Sequence, residues 1–219
     1  MFVPSEMNIP MLSLLLLLFV VVGLLFLLNK WMIVRYKNQK ITIGHDLNIV
    51  FQVFGERENA DEVQLVISKI FWYRPLTNTI GVINLKSKML LDALAFLHEL
   101  YHHKDRNRVI KIQTLVSLYT YVVSSILKFI ALFYIWSGKT SIILSNVLIL
   151  DMLMLFVCLL LTLVIESYAS REAVLFLEKN QYVKNNQFIK RVSNRALFSY
   201  FFQFVLYIII SALLFYMIV

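Results

Sequence analysis

Four apolar stretches constrain what this chain can fold into: Met11 to Leu28, Leu115 to Trp136, Ile142 to Ile165 and Ala196 to Val219. Each is long enough to cross a hydrocarbon core of about 30 Å as an α-helix rising about 1.5 Å per residue. Sixty per cent of the 219 residues are hydrophobic and 16% are charged, more apolar surface than a water-soluble fold of this size can hide. The first stretch reads as an uncleaved anchor and not a signal peptide. It is too long for an h-region, no basic n-region precedes it, and no small-residue cleavage site follows. The expected fold class is a mainly α membrane protein of about four transmembrane helices, carrying a small α+β, zincin-like cytoplasmic segment.

The net charge of +8 is explained by topology and not by nucleic acid. Of 21 Lys and Arg, 13 lie between Lys30 and Lys111 and six between Arg171 and Arg195. Both segments follow an odd-numbered span, so they share a side. Basic residues accumulate on the cytoplasmic side, which puts both segments inside, with attraction to anionic lipid heads of the bilayer. The expected organisation is an anchor over 1–29, a cytoplasmic α+β segment over 30–111, a transmembrane hairpin over 112–168 ending at Glu166, a basic cytoplasmic segment over 169–195 and a last transmembrane helix over 196–219. No sequence feature specifies the oligomeric state.

Within 30–111, His45 to Phe54 has mixed helical and strand character and Gly55 to Asp61 reads as a charged turn. Val63 to Ile67 and Asn78 to Leu85 read as strands. Phe71, Trp72 and Tyr73 fit either a core strand or an interfacial anchor, with no chemistry assigned. From Ser87, a candidate cap, Met89, Leu90, Ala93, Leu94, Leu97 and Tyr101 fall at helical spacing, and the helix is expected to run on toward the second span.

That helix carries His98-Glu99-Leu100-Tyr101-His102, which matches H-E-x-x-H. Residues i and i+4 share a helix face, so both imidazoles can close on one Zn²⁺ while the glutamate beside the first reaches the water at the ion. Fewer than about 1 in 100 chains of this composition would carry the pattern by chance. The competing reading is a pair of histidines on a solvated face beside His103, Lys104 and Asp105. A catalytic zinc site keeps three protein ligands, and the single cysteine, Cys158, falls inside a span. The third ligand must then be an acid or histidine on the same side. Glu166 qualifies by topology; the alternatives are that it is a plain interfacial carboxylate, or that Glu172 is the ligand.

The stretch Thr162-Leu163-Val164-Ile165-Glu166-Ser167-Tyr168-Ala169-Ser170-Arg171-Glu172-Ala173 resembles the second motif of the bacterial membrane-bound neutral zinc metallopeptidases of the YugP type. There a T-L-x-x-E-x-x-A-S-x-x-A segment follows an H-E-x-x-H helix. The resemblance also takes in the strand Ile80 to Leu85 and the amino-terminal anchor. It implies that His98, His102 and Glu166 bind zinc, that Glu99 is the general base, and that the chain sits in a bacterial plasma membrane as a metalloendopeptidase. Its expected substrates are membrane-associated polypeptides, hydrolysed by zinc-bound water that Glu99 activates. More distantly, the motif order is similar to the gluzincin membrane peptidases. Tyr101 stands where the family usually has glycine. The strand ending at Leu85 is expected to pair with an extended substrate. The rival function is a non-catalytic membrane sensor, immunity or interaction protein on the same fold; turnover dependent on Glu99 separates the two.

Two charges interrupt the spans. Counting about 1.5 Å per residue, Lys128 lies about 20 Å, and Asp151 about 21 Å, from the cytoplasmic ends of their helices. Matched depth predicts a buried ion pair between the second and third spans.

Overall fold

The computed structural model describes residues 9–58, 63–183 and 186–218. In chain order the elements are α1 (Ile9–Lys37), α2 (Leu47–Glu58), β1 (Gln64–Ile67), β2 (Trp72–Arg74), β3 (Thr79–Val82), α3 (Leu90–Lys104), α4 (Arg106–Ser117), a π-helical turn (Leu118–Val123), α5 (Ser124–Trp136), α6 (Ile142–Lys179) and α7 (Asn186–Ile218). The chain is mainly helical with one three-stranded sheet. Among the described residues four helical stretches are long and apolar enough to cross a membrane: Pro10–Lys37, Arg106–Trp136, Ile142–Lys179 and Gln187–Ile218. Each covers one of the four apolar runs, the last of them as far as Ile218, and extends into polar sequence, since helical hydrogen bonding continues wherever propensity and packing allow.

Two compact units result, and α1, α4, α6 and α7 pass from one to the other. The first unit takes α1 up to Lys30, Thr114–Thr162 and α7 from Phe198. Its surface is apolar: Leu14, Leu17 and Leu27 of α1, and Phe129 and Trp136 of α5, are exposed. Such a surface is expected against lipid and is untenable in water. A small core of Ala131, Leu144, Leu148, Leu214 and Ile218 joins α5, α6 and α7, and Asn29 Nδ2 donates to Ser199 Oγ at 3.0 Å between α1 and α7.

Lys128 and Asp151 meet inside this unit, with Nζ to Oδ2 at 3.1 Å. Asp151 is fully buried. Ser211 Oγ donates to Oδ2 at 2.6 Å and Tyr119 Oη to Oδ1 at 2.9 Å, while Lys128 also donates to Ser124 Oγ. Both carboxylate oxygens are therefore satisfied, as a buried charge requires. Tyr119 lies on the π turn, where the wider ring of the helix changes side-chain direction.

The second unit comprises Trp31–Gln113 and Leu163–Leu197. Its core gathers Leu47, Val50 and Phe54 of α2, Ile80 and Val82 of β3, Leu90, Ala93, Phe96, Leu97 and Leu100 of α3, and Ala169, Ala173 and Leu177 of α6. The segment His45 to Phe54, ambiguous in sequence, is helical because Leu47, Val50 and Phe54 recur on one face and all go into the core. The Asp46 carboxylate accepts the Ile49 amide at 3.0 Å at its start. The expected charged turn does not begin at Gly55, since α2 runs through it to Glu58; Asn59 to Asp61 lie outside the described residues.

In the sheet the order is β1-β3-β2, with β1 parallel and β2 antiparallel to β3. Trp72 pairs with Gly81, and a Cβ at Gly81 would overlap the Trp72 indole; a side chain at that position is excluded by the ring lying over it. The indole is fixed by Nε1 donating to Ser68 Oγ at 2.8 Å. The strand expected over Asn78 to Leu85 is shorter, and it is the middle strand. With a neighbour on each side it has no edge to offer a substrate, so that expectation is corrected: the edges belong to β1 and β2.

The cap expectation is corrected as well. Met89 is the residue before α3, with no side-chain cap. Ser87 instead donates to Asp92 Oδ2 at 2.5 Å and accepts the Met89 amide at 3.2 Å, bracing the first turn from outside. The start of α3 is held by Leu90 N–H to Ile41 O at 2.8 Å and Ile43 N–H to Lys88 O at 2.7 Å. Nor does α3 run on unbroken: it ends at Lys104, and α4 starts at Arg106. Arg106 turns back to donate to Pro75 O at 2.8 Å, tying the break to the β2–β3 turn.

Candidate metal centre

The apolar face of α3 is buried along its length, which leaves His98 and His102, one turn apart, facing α6. Their Nε2 atoms are 3.0 Å apart. Glu166 Oε2 lies 3.1 Å from His98 Nε2 and 3.6 Å from His102 Nε2. His102 and Glu166 are buried, and the His98 side chain is 20% exposed, so the cluster is open on one side. Neither imidazole sits on a solvated face. Among the described residues this is the group of His, Cys, Asp and Glu side chains that could hold a metal ion.

The donor set fits zinc on geometry. A tetrahedral ion with bonds of about 2.0–2.1 Å spaces its donor atoms about 3.3 Å apart. The three separations here, 3.0, 3.1 and 3.6 Å, bracket that value. Two nitrogens and one carboxylate oxygen also suit zinc chemically, and three ligands leave one position open. Glu172 is not in the group; its carboxylate accepts from Arg171 at 2.9 Å.

Ser170, one turn beyond Glu166 on α6, has Oγ 3.2 Å from His98 Nδ1. With Nε2 directed at the other donors, this contact at Nδ1 fixes the ring orientation, and with a metal at Nε2 it would be Nδ1–H that donates to the hydroxyl. The sequence signal was present, since a residue four beyond Glu166 shares its helix face, but only the packing of α6 on α3 reveals its partner.

Glu99 follows His98 on α3 and is half-buried. Burial pushes its carboxyl above the ordinary carboxylate range, and the charges of His98 and His102, with the nearby Tyr73 main chain, oppose that. The net direction is upward, which suits a group that must both take and return a proton near neutral pH. For His98, burial works against the imidazolium, but the hydrogen bond and charge of Glu166, with the charge of Glu99, outweigh it and raise the pKa. Tyr73, assigned no chemistry from sequence, thus has its main chain beside Glu99. Its Oη donates to Asn78 Oδ1 at 3.1 Å, an atom also 2.7 Å from His103 Nδ1.

Tyr101 turns away from the donors. It is 4% exposed and packs edge-on against Phe54, with ring centroids 5.2 Å apart. The ring thereby fills core between α2 and α3 and takes no space at the donor cluster.

No protein-family model, curated protein or solved structure matches the chain.

Proposed function

We propose that this chain is a membrane-spanning zinc metalloendopeptidase with a zincin-like polar unit, the reading implied by the resemblance of its two motifs to those of the bacterial membrane-bound neutral zinc metallopeptidases. The observation that carries it is the convergence of His98 Nε2, His102 Nε2 and Glu166 Oε2 within 3.6 Å of one another, with Glu99 following His98 on the same helix. Zinc held there would act as a Lewis acid on the scissile carbonyl and make water nucleophilic at neutral pH. Glu99 takes the proton of the attacking water and delivers it to the leaving amine. Ser170, at 3.2 Å from His98 Nδ1, keeps the His98 ring from rotating.

For substrate, β2 is the strand that combines a free edge with proximity to Glu99; an extended polypeptide pairing there would lie beside the general base. Glu166 directly follows the apolar run ending at Ile165, so a membrane-anchored polypeptide reaches the site more readily than a soluble one. The test is a comparison of membrane proteomes, including new peptide termini, from cells with the wild-type chain and with Glu99→Gln. Loss of the general base should slow turnover by about 10²–10⁴-fold, so uncut substrates accumulate and their fragments disappear. Identical sets of termini in the two strains would remove the peptidase reading.

The basic segments are proposed to be cytoplasmic. Single cysteines near Arg57 should then be protected from an impermeant thiol reagent in intact cells, and those near Gly138 labelled. The opposite pattern inverts the orientation.

A further inference from the structure

A cleft of about 580 Å³ lies between α6 and α7 in the polar unit, and its cationic residues are Arg108, Arg171 and Lys190. None of the described residues lining it is acidic, and none of His98, Glu99, His102 and Glu166 belongs to the wall. Ser170 is the one shared residue, and it touches His98 at Nδ1, away from the metal-facing nitrogen. The cleft is therefore behind the donor cluster and is not its substrate entrance.

Its position along the three helices identifies the ligand class. Arg108 stands seven residues before the apolar run that starts at Leu115, Arg171 six after the run that ends at Ile165, and Lys190 six before the run that starts at Ala196. At about 1.5 Å per residue the three cations lie about 9–10 Å outside the hydrocarbon boundary, and Lys and Arg side chains reach back several ångströms. The headgroup layer occupies roughly 5–8 Å on each side of the core. Three independent helices thus deliver a cation to phosphate depth. Ser193 and Asn194 add polar groups to the same wall, while Val164 and Leu197 give it an apolar margin on the side where the runs begin.

The existing partners of the cations leave them available. Arg171 uses Nε and Nη2 on Glu172, Lys190 Nζ is 3.3 Å from Glu178, and Arg108 only approaches Asp105, at 3.8 Å. All three side chains are more than half exposed, at 69%, 58% and 53%, and exposed pairs of this kind contribute little and exchange readily.

We propose that this cleft binds the phosphodiester headgroup of an anionic membrane phospholipid, with the phosphate on Arg108, Arg171 and Lys190 and the glycerol end toward Val164 and Leu197. Nothing in this depends on Glu99 or on the metal ligands. The test uses the full chain in nanodiscs containing spin-labelled phosphatidylglycerol or phosphatidylcholine, with the immobilised lipid fraction read by electron paramagnetic resonance. Phosphatidylglycerol should be retained over phosphatidylcholine, and Arg171→Gln and Lys190→Gln should each weaken that preference roughly fivefold, the pair roughly 25-fold. Arg57→Gln, a basic residue outside the cleft, should leave it unchanged. Equal retention of the two lipids, or equal loss in the Arg57 variant, would overturn the proposal. Displacement of the lipid by inorganic phosphate would reassign the cleft to a soluble phosphate, and displacement by an acidic peptide would reassign it to a polypeptide; either overturns the lipid assignment. Melting temperatures of the exposed-site variants should match the wild type, so a lost preference reports on binding and not on folding.

Discussion

Purified Glu166→Ala is expected to lose its zinc under conditions in which the wild-type chain keeps one equivalent. Removing an outer partner of a metal ligand usually costs about 10–100-fold in affinity, and removing one of three direct donors should cost more. Ser170→Ala supplies the comparison. Its hydroxyl meets the cluster at His98 Nδ1, away from the three donor atoms, so its loss should fall inside that range and leave the stoichiometry intact at saturating metal. Glu99→Gln should retain zinc, because Glu99 is not in the donor group and under the proposed function serves the water and not the ion. Glu172→Ala should also retain it, since its carboxylate is engaged by Arg171. Metal analysis of the four variants is decisive: full occupancy in Glu166→Ala, or loss confined to Glu172→Ala, would reassign the third ligand and sever the resemblance to the metallopeptidases.

The second large effect is expected at the charge pair in the membrane unit. Lys128→Met leaves the fully buried Asp151 with two hydroxyl donors and no cation; Asp151→Leu leaves Lys128, Tyr119 and Ser211 without their acceptor. Breaking one side of a buried pair typically costs about 3–5 kcal/mol, whereas replacing both partners with apolar residues of similar volume is often close to neutral. The double variant should therefore be more stable than either single one. Equilibrium unfolding in a fixed detergent gives the coupling energy directly, and a double variant as unstable as the sum of the singles would show that the two charges do not interact. Lys128→Met should be the worse single change, because it strands a fully buried carboxylate on two hydroxyls, whereas in Asp151→Leu the Lys128 ammonium keeps Ser124 and is 17% exposed and the Ser211 hydroxyl keeps the Tyr207 carbonyl.

Several features were legible in the sequence because they are local. A long apolar run specifies a spanning helix through its length and composition alone. The His98 and His102 spacing specifies a shared face through the helical period. The meeting of Lys128 with Asp151 could be foreseen by counting a constant rise along two antiparallel helices, since depth in a spanning helix is nearly a linear function of residue number. The short strand over Val63 to Ile67 was readable from its run of apolar, β-branched residues.

Tertiary structure decided the rest, because it depends on how each element is rotated about its own axis and on what lies beside it. Glu166 and Glu172 both follow the apolar run of one helix, and six residues of rotation bring the first to the two imidazoles and leave the second on Arg171. Ser170 gains its role from α3 and not from its own neighbours in sequence. Strand order placed β3 in the middle of the sheet and gave the edge near Glu99 to β2, which no strand signal could express because every strand looks alike to periodicity. The helical state of α2 was settled by a core that takes Leu47, Val50 and Phe54 together. The hydroxyls that complete the Asp151 site come from a π turn and from α7, and a register changed by one wide turn is invisible to any rule that assumes a constant period.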